Sequence, residues 1–212
     1  SAAETRALLD AAQPDLLLAQ LKENEGLLDD ASSLLTRMVH DEVRITPAGE
    51  WLLDNYYLIE EQIRTASRHL PKGYSRELPS LSVGESTGLP RVYDLAMQAI
   101  AHGDGRIDAE MLSRFVAAYQ SVTPLKLGEL WAIPIMLRLA LIENLRRMAV
   151  RVMRDGVDHR LAGDWAHLLN QTAESNPKDV VLVIADMARS GPPVTGAIVA
   201  ELTRGLHGRS AA

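Results

Sequence analysis

Leu130-Trp131-Ala132-Ile133-Pro134-Ile135-Met136-Leu137-Arg138-Leu139-Ala140-Leu141-Ile142 carries a single charge and is apolar on every face of a helix. A helix of that kind belongs at the centre of a helical bundle. It is shorter than the roughly 20 apolar residues needed to cross a bilayer, and Pro134 and Arg138 interrupt it. Thr123-Pro124 is a helix start, Thr accepting from an orphan N–H and Pro standing where a missing N–H does no harm. The helix is predicted to run to about Arg154 with a kink at Pro134, which lacks a donor and crowds the preceding turn. Arg138 has apolar neighbours all round, so it is expected to be buried against a carboxylate or carbonyl. Past Ile142 the pattern turns amphipathic, with Leu145, Met148 and Val152 inward and Arg147, Arg151 and Arg154 as a basic stripe. That stripe suits either a phosphate or acidic surface, or a solvated helix end that complements the macrodipole.

Working outward, helical spacing recurs on both sides. Segments 4–22 and 24–41 are apolar at helical intervals and are parted by Asn24 and Gly26, which predicts an acidic amino-terminal hairpin over residues 1–45. A helical body follows over 46–212. Thr46-Pro47 starts a helix to about Leu70, with Leu52, Tyr56, Ile59, Ile63 and Ala66 on one face. Residues 71–90 hold three Pro and three Gly and read as a crossover loop, long enough to suggest a recognition or interface role. Pro90 opens a helix to His102, Gly103 and Gly105 end it, and Asp108 caps the next, whose face of Met111, Leu112, Phe115, Val116 and Tyr119 is expected to be buried. Further helices are predicted over 158–172, over Val180–Ala188 after an Asn176-Pro177 start, and from Pro192-Pro193 to near Gly208. The run Val180-Val181-Leu182-Val183-Ile184 would also suit a buried strand. The fold class is all-α, a multi-helix bundle or stacked array of about eight or nine helices.

Composition agrees. Of 212 residues 47% are apolar and 24% charged, as in an ordinary globular chain. Aromatic residues make up only 4%, thin for a β-sandwich or barrel. A net charge of −6 argues against broad nucleic-acid binding, which needs many cations to neutralise phosphates. The first sixty residues hold four cations against twelve acids, so the net negative charge sits at the front. With no Cys, disulfides, thiolate nucleophiles and Cys-ligated zinc are excluded.

Most motifs of common catalysis are missing. No Gly-x4-Gly-Lys-Ser/Thr, Gly-x-Gly-x-x-Gly or His-Glu-x-x-His occurs, and the Gly-x-Ser-x-Gly at Gly84-Glu85-Ser86-Thr87-Gly88 lies in a Pro/Gly-rich loop without the strand-to-helix turn of a nucleophile elbow. Asp104-Gly105-Arg106-Ile107-Asp108 lacks the alternating acids and terminal Glu of a calcium loop and reads as a turn followed by a cap. Glu60/Glu61 and Asp29/Asp30 are adjacent and diverge on a helix, so neither is a catalytic carboxylate pair. Tyr56, Tyr57 and Trp131 could stack on sugar faces, although aromatic residues at helical spacing usually belong to a core or an interface. The expectation is of no catalytic, cofactor or metal residues.

Several ordered blocks stand out: Glu50-Trp51-Leu52-Leu53-Asp54-Asn55-Tyr56-Tyr57-Leu58-Ile59-Glu60-Glu61-Gln62-Ile63-Arg64, Leu70-Pro71-Lys72-Gly73-Tyr74-Ser75-Arg76-Glu77-Leu78-Pro79, Pro90-Arg91-Val92-Tyr93-Asp94-Leu95-Ala96 and Ala101-His102-Gly103-Asp104-Gly105-Arg106-Ile107-Asp108, with further blocks from Arg114 to Arg147. Taken in order, they resemble the amino-terminal region of the large bacterial cyclic β-1,2-glucan synthases. The resemblance implies an inner-membrane enzyme that polymerises glucose from UDP-glucose and closes the chain into a ring, its transferase, phosphorylase-like and membrane parts lying elsewhere. The Asp-x-Asp site of such a transferase is absent here. The resemblance therefore implies a helical accessory or scaffolding region on the cytoplasmic side of the inner membrane, whose partner is the remainder of the synthase. It implies neither nucleic-acid binding nor membrane insertion. Tyr74, Arg76, Glu77, Arg91, Asp104, Arg106 and Trp131 are the candidate contacts with that partner, with a glucan or with UDP-glucose, and removing Tyr74, Arg76 and Arg91 is expected to leave the fold intact. Two alternatives stand beside this reading: a glycan- or nucleotide-sugar-binding module, and an acid/base enzyme using Asp108 or Glu129.

Overall fold

A computed structural model describes residues 15–71, 73–84, 86–191 and 195–207. Among the described residues there are nine α-helices and one isolated antiparallel bridge, between Ser80 and Pro90. The helices are α1 (Leu16–His40), α2 (Pro47–Asp54), α3 (Tyr56–His69), α4 (Tyr74–Glu77), α5 (Arg91–His102), α6 (Ala109–Gln120), α7 (Leu127–Ser175), α8 (Val180–Ser190) and α9 (Gly196–His207). The all-α class and the helix number agree with the periodicity.

The chain divides into two compact units: the stretch up to Asp29 with Asn55–Met148, and Asp30–Asp54 with the chain from Ala149 onward. The first is built on α5, whose Val92, Leu95, Ala96 and Ala99 are buried, together with Leu17, Leu21 and Leu28 of α1, Ile59 and Ile63 of α3, and Ala132, Met136 and Leu139 of α7. The core of the second holds Ala31, Leu35 and Met38 of α1, Leu52 of α2, and Val152, Ala162, Ala166 and Leu169 of α7. This differs from the expected division at residue 45, because α1 and α7 each contribute residues to both units.

The amino-terminal hairpin is corrected to one helix. Asn24 and Gly26 lie inside α1 without breaking it. Asn24 is 3% exposed, and Leu17, Leu21, Leu28, Ala31, Leu35 and Met38 keep one continuous buried face, which outweighs a penalty of about 1 kcal/mol for a helical Gly. Residues 4–14 of the expected first helix lie outside the described residues. In the same way the segments 123–154 and 158–172 are one helix, α7, 49 residues long and beginning at Leu127. Gly156 does not end it: a Cβ there would come within 2.9 Å of Met38 Sδ and Cε, so the glycine is a notch for that side chain. The single helix expected over 47–70 is instead interrupted at Asn55.

Local signals read better. Thr46 Oγ1 accepts from the Gly49 N–H at 3.2 Å, and Asp108 Oδ1 from the Met111 N–H at 2.7 Å. Val180–Ser190 is helix, not strand. The 71–90 segment is tied down at both ends. Asp15 accepts from the Gly73 N–H at 3.0 Å and from the Ser75 hydroxyl at 2.7 Å, and Arg91 and Gly88 donate main-chain bonds to Pro79 and Leu81. The face expected to be buried on α6 is only half-buried, and that helix holds no buried residue.

Candidate functional site

Arg91, one of the candidate contacts, is bound within the fold. Its Nε donates to Glu129 Oε1 at 2.6 Å and its Nη2 to Glu129 Oε2 at 2.7 Å, a bidentate pair, while Nη2 also reaches the Pro124 carbonyl at 2.9 Å. Glu129 is 0% exposed and also accepts from the Lys126 N–H at 2.8 Å. The Arg91 hydrogen bonds hold the Glu129 carboxyl below the usual range, so it stays ionised at neutral pH and is ill-suited to general acid work. The same pair argues against the expectation that replacing Arg91 along with Tyr74 and Arg76 leaves the fold intact. Burial alone would raise the other fully packed carboxylate of this unit, Glu143, but hydrogen bonds from Arg146 and Arg147 outweigh it and keep its carboxyl low. Arg147 of the predicted basic stripe is thus partly neutralised.

The other sequence candidates scatter. Tyr74 is half-buried at the start of α4, while Arg76 and Glu77 are exposed on it. Asp104 and Arg106 are exposed on the turn after α5, where Asp104 takes a φ of +50° and Gly105 of +80°. Trp131 is 77% exposed on α7. Tyr56 donates to Asp29, and burial followed by that bond pushes its phenol above the usual range. Arg138 is half-buried, and among the described residues it makes no hydrogen bond or ion pair, which corrects the expected buried pairing.

What the first unit does bring together is a polar cleft of about 230 Å³ along α5. Asp94 lies in it, accepting from the Ser86 hydroxyl at 2.7 Å and from Gln98 Nε2 at 2.6 Å. Gln20 and Arg147 border it, and Tyr93 forms part of the wall. Burial first, and then the charge of Glu143, push the Tyr93 phenol above its usual range, with the Gln20 hydrogen bond acting in the opposite sense. Tyr93 is therefore a neutral hydrogen-bonding group at all ordinary pH. Gln20 Oε1 is buried with no hydrogen-bond partner, and such an acceptor is costly unless a donor reaches it. The cleft is small against the roughly 300–1,000 Å³ of common ligand pockets. Its chemistry, a carboxylate, a guanidinium and amides that hydrogen-bond in pairs, suits a polyhydroxylated group. Among the described residues no cluster of His, Asp or Glu could hold a metal ion.

Sequence reading missed this cleft. Asp94 and Gln98 stand four apart on one helix and could have been seen as a polar pair, and Ser86 lies in the flagged loop, but nothing local places Gln20 against them.

Over 151 residues, 71% of this chain, the sequence is 40% identical to the cyclic β-(1,2)-glucan synthase NdvB of Rhizobium meliloti. The chain is similar to a segment of a cyclic glucan synthase. It spans 5% of the length of that relative. No family model matches it. No described helix is long and apolar enough to cross a membrane.

Proposed function

We propose that this chain is a non-catalytic helical accessory region, amino-terminal in position, of a cyclic β-1,2-glucan synthase. The similarity of 40% over 151 residues carries the reading. Glu129 and Glu143 support it, since each buried carboxylate has both oxygens bound by arginine within the fold. The parent enzyme uses UDP-glucose, and this region faces the cytoplasm and contacts the remainder of the synthase. Tyr74, Arg76 and Glu77 on α4 and the 103–108 turn remain the proposed contacts, because loops held on a rigid scaffold commonly carry recognition. Deleting the region from the full-length synthase should abolish or misdirect ring synthesis while the isolated chain transfers no glucose. Transfer of glucose from UDP-glucose by the isolated chain would overturn the accessory role.

The polar side chains of Asp94, Gln98 and Arg147 along the α5 cleft favour one addition, that it holds a glucose unit of the growing glucan. Calorimetric titration with linear β-1,2-glucan should give heat that Asp94→Asn abolishes, and UDP-glucose should compete weakly or not at all. Binding that survives Asp94→Asn, or no binding to the native chain, removes the cleft from the reading and leaves the accessory role standing.

A further inference from the structure

Helix α7 carries an apolar row that is exposed over much of its length, with Arg138 and Leu145 half-buried in it. Leu127, Trp131, Pro134, Arg138, Leu141, Leu145 and Met148 recur at spacings of four and three, the repeat of a coiled-coil seam. Leu127 is 71% exposed, Trp131 77% and Met148 44%, and Pro134 is exposed as well. The row is about 30 Å long at 1.5 Å per residue. An apolar face of that length signals a surface that something covers.

Arg138 says what covers it. It stands at the middle of the row, with Pro134 and Ile142 four residues away and Ile135 and Leu141 three away, so no neighbour on its own helix can pair with it. The acids of this stretch, Glu129 and Glu143, are buried on the other face and already bound by arginines. A second copy of the chain is a poor occupant. Paired in register, or antiparallel about the centre of the row, it would set Arg138 against Arg138, and like charges across an interface are strongly disfavoured. A bilayer is also a poor fit, because the row is a narrow seam with its one cation in the middle and not at the edges. We propose that this row is the docking seam for an amphipathic α-helix of a partner segment, apolar at its own a and d positions and bearing a carboxylate that meets Arg138.

Two synthetic helical peptides of matching length test this, each with Leu at a and d positions, one with a central Glu and the other with a central Lys. At low salt the Glu peptide should bind the 212-residue chain about tenfold or more tightly than the Lys peptide. Arg138→Glu should reverse the order, and Trp131→Ala should weaken both peptides, with circular dichroism confirming that each variant remains helical. Failure of both peptides to bind, or a preference that Arg138→Glu does not reverse, overturns the proposal. So does a dimer in sedimentation that Trp131→Ala dissolves, which assigns the seam to a second copy. Cosedimentation with vesicles of anionic phospholipid that depends on Trp131 assigns it to a membrane, and likewise overturns the proposal.

Discussion

Glu129 is the residue on which the first unit depends most sharply. A carboxylate with no exposure is tolerable only while Arg91 and the Lys126 N–H satisfy it. Arg91→Ala strands that charge and should cost about 3–5 kcal/mol, whereas Arg91→Met with Glu129→Leu should be close to neutral, because matched apolar groups avoid the desolvation that the pair endures. Urea unfolding of the two variants measures the difference. The acid limb follows from the same pair. Glu129 and Glu143 have folded pKa values below their unfolded ones, so their contribution is present above the ordinary glutamate value of about 4.3 and is lost as pH falls through the folded values. Glu129→Gln should therefore show a shallower loss of stability between about pH 5 and pH 3 than the native chain. Both partners were visible in the sequence as charged residues, but 38 positions separate them, and no local pattern reveals which distant cation a carboxylate meets.

At the scale of the helix, glycine shows what periodicity can and cannot tell. Gly26 and Gly156 look alike in the sequence, each a break in an apolar pattern, and both lie inside continuous helices. Their surroundings differ. Nothing lies within 4 Å of a Cβ at Gly26, while Met38 Sδ and Cε stand 2.9 Å from one at Gly156. Gly26→Ala should stabilise by about 0.5–1 kcal/mol through helix propensity. Gly156→Ala forces the end of the buried Met38 side chain to move, so it should stabilise less than Gly26→Ala or not at all. Paired thermal melts give the difference. Helix starts were legible because a cap is a local matter of two or three residues, as at Thr46 and Asp108. Helix ends and interruptions were not, since burial of a long apolar face overrides a weak breaker. For the same reason Arg138 was misread: apolar neighbours on every side do not show which face the core takes.

For the molecule as a whole, the all-α class was readable from composition and spacing, but the division into units was not, because α1 and α7 each run from one compact unit into the other. Nor was the cleft readable, since it draws Gln20, Asp94 and Arg147 from three helices far apart in the chain. One feature of the second unit bears on the fate of the purified protein. Helix α8 has no buried residue and leaves Val181, Leu182 and Ile184 more than half exposed. Helices held by so few contacts open readily. Once open, Val180-Val181-Leu182-Val183-Ile184 is an uncharged apolar run, β-branched at all but Leu182 and without Pro, the composition that seeds cross-β stacking. Lys178, Asp179 and Asp186 flank it as charged guards, but none interrupts it. Leu182→Lys, on an exposed position, should lengthen the lag before thioflavin-positive fibrils appear in a warmed, concentrated sample while leaving the melting temperature nearly unchanged. An unaltered lag would place the fibril-forming stretch elsewhere. A lengthened lag means that the shelf life of the isolated chain is governed by this one short helix and its rate of opening, and not by the stability of either core.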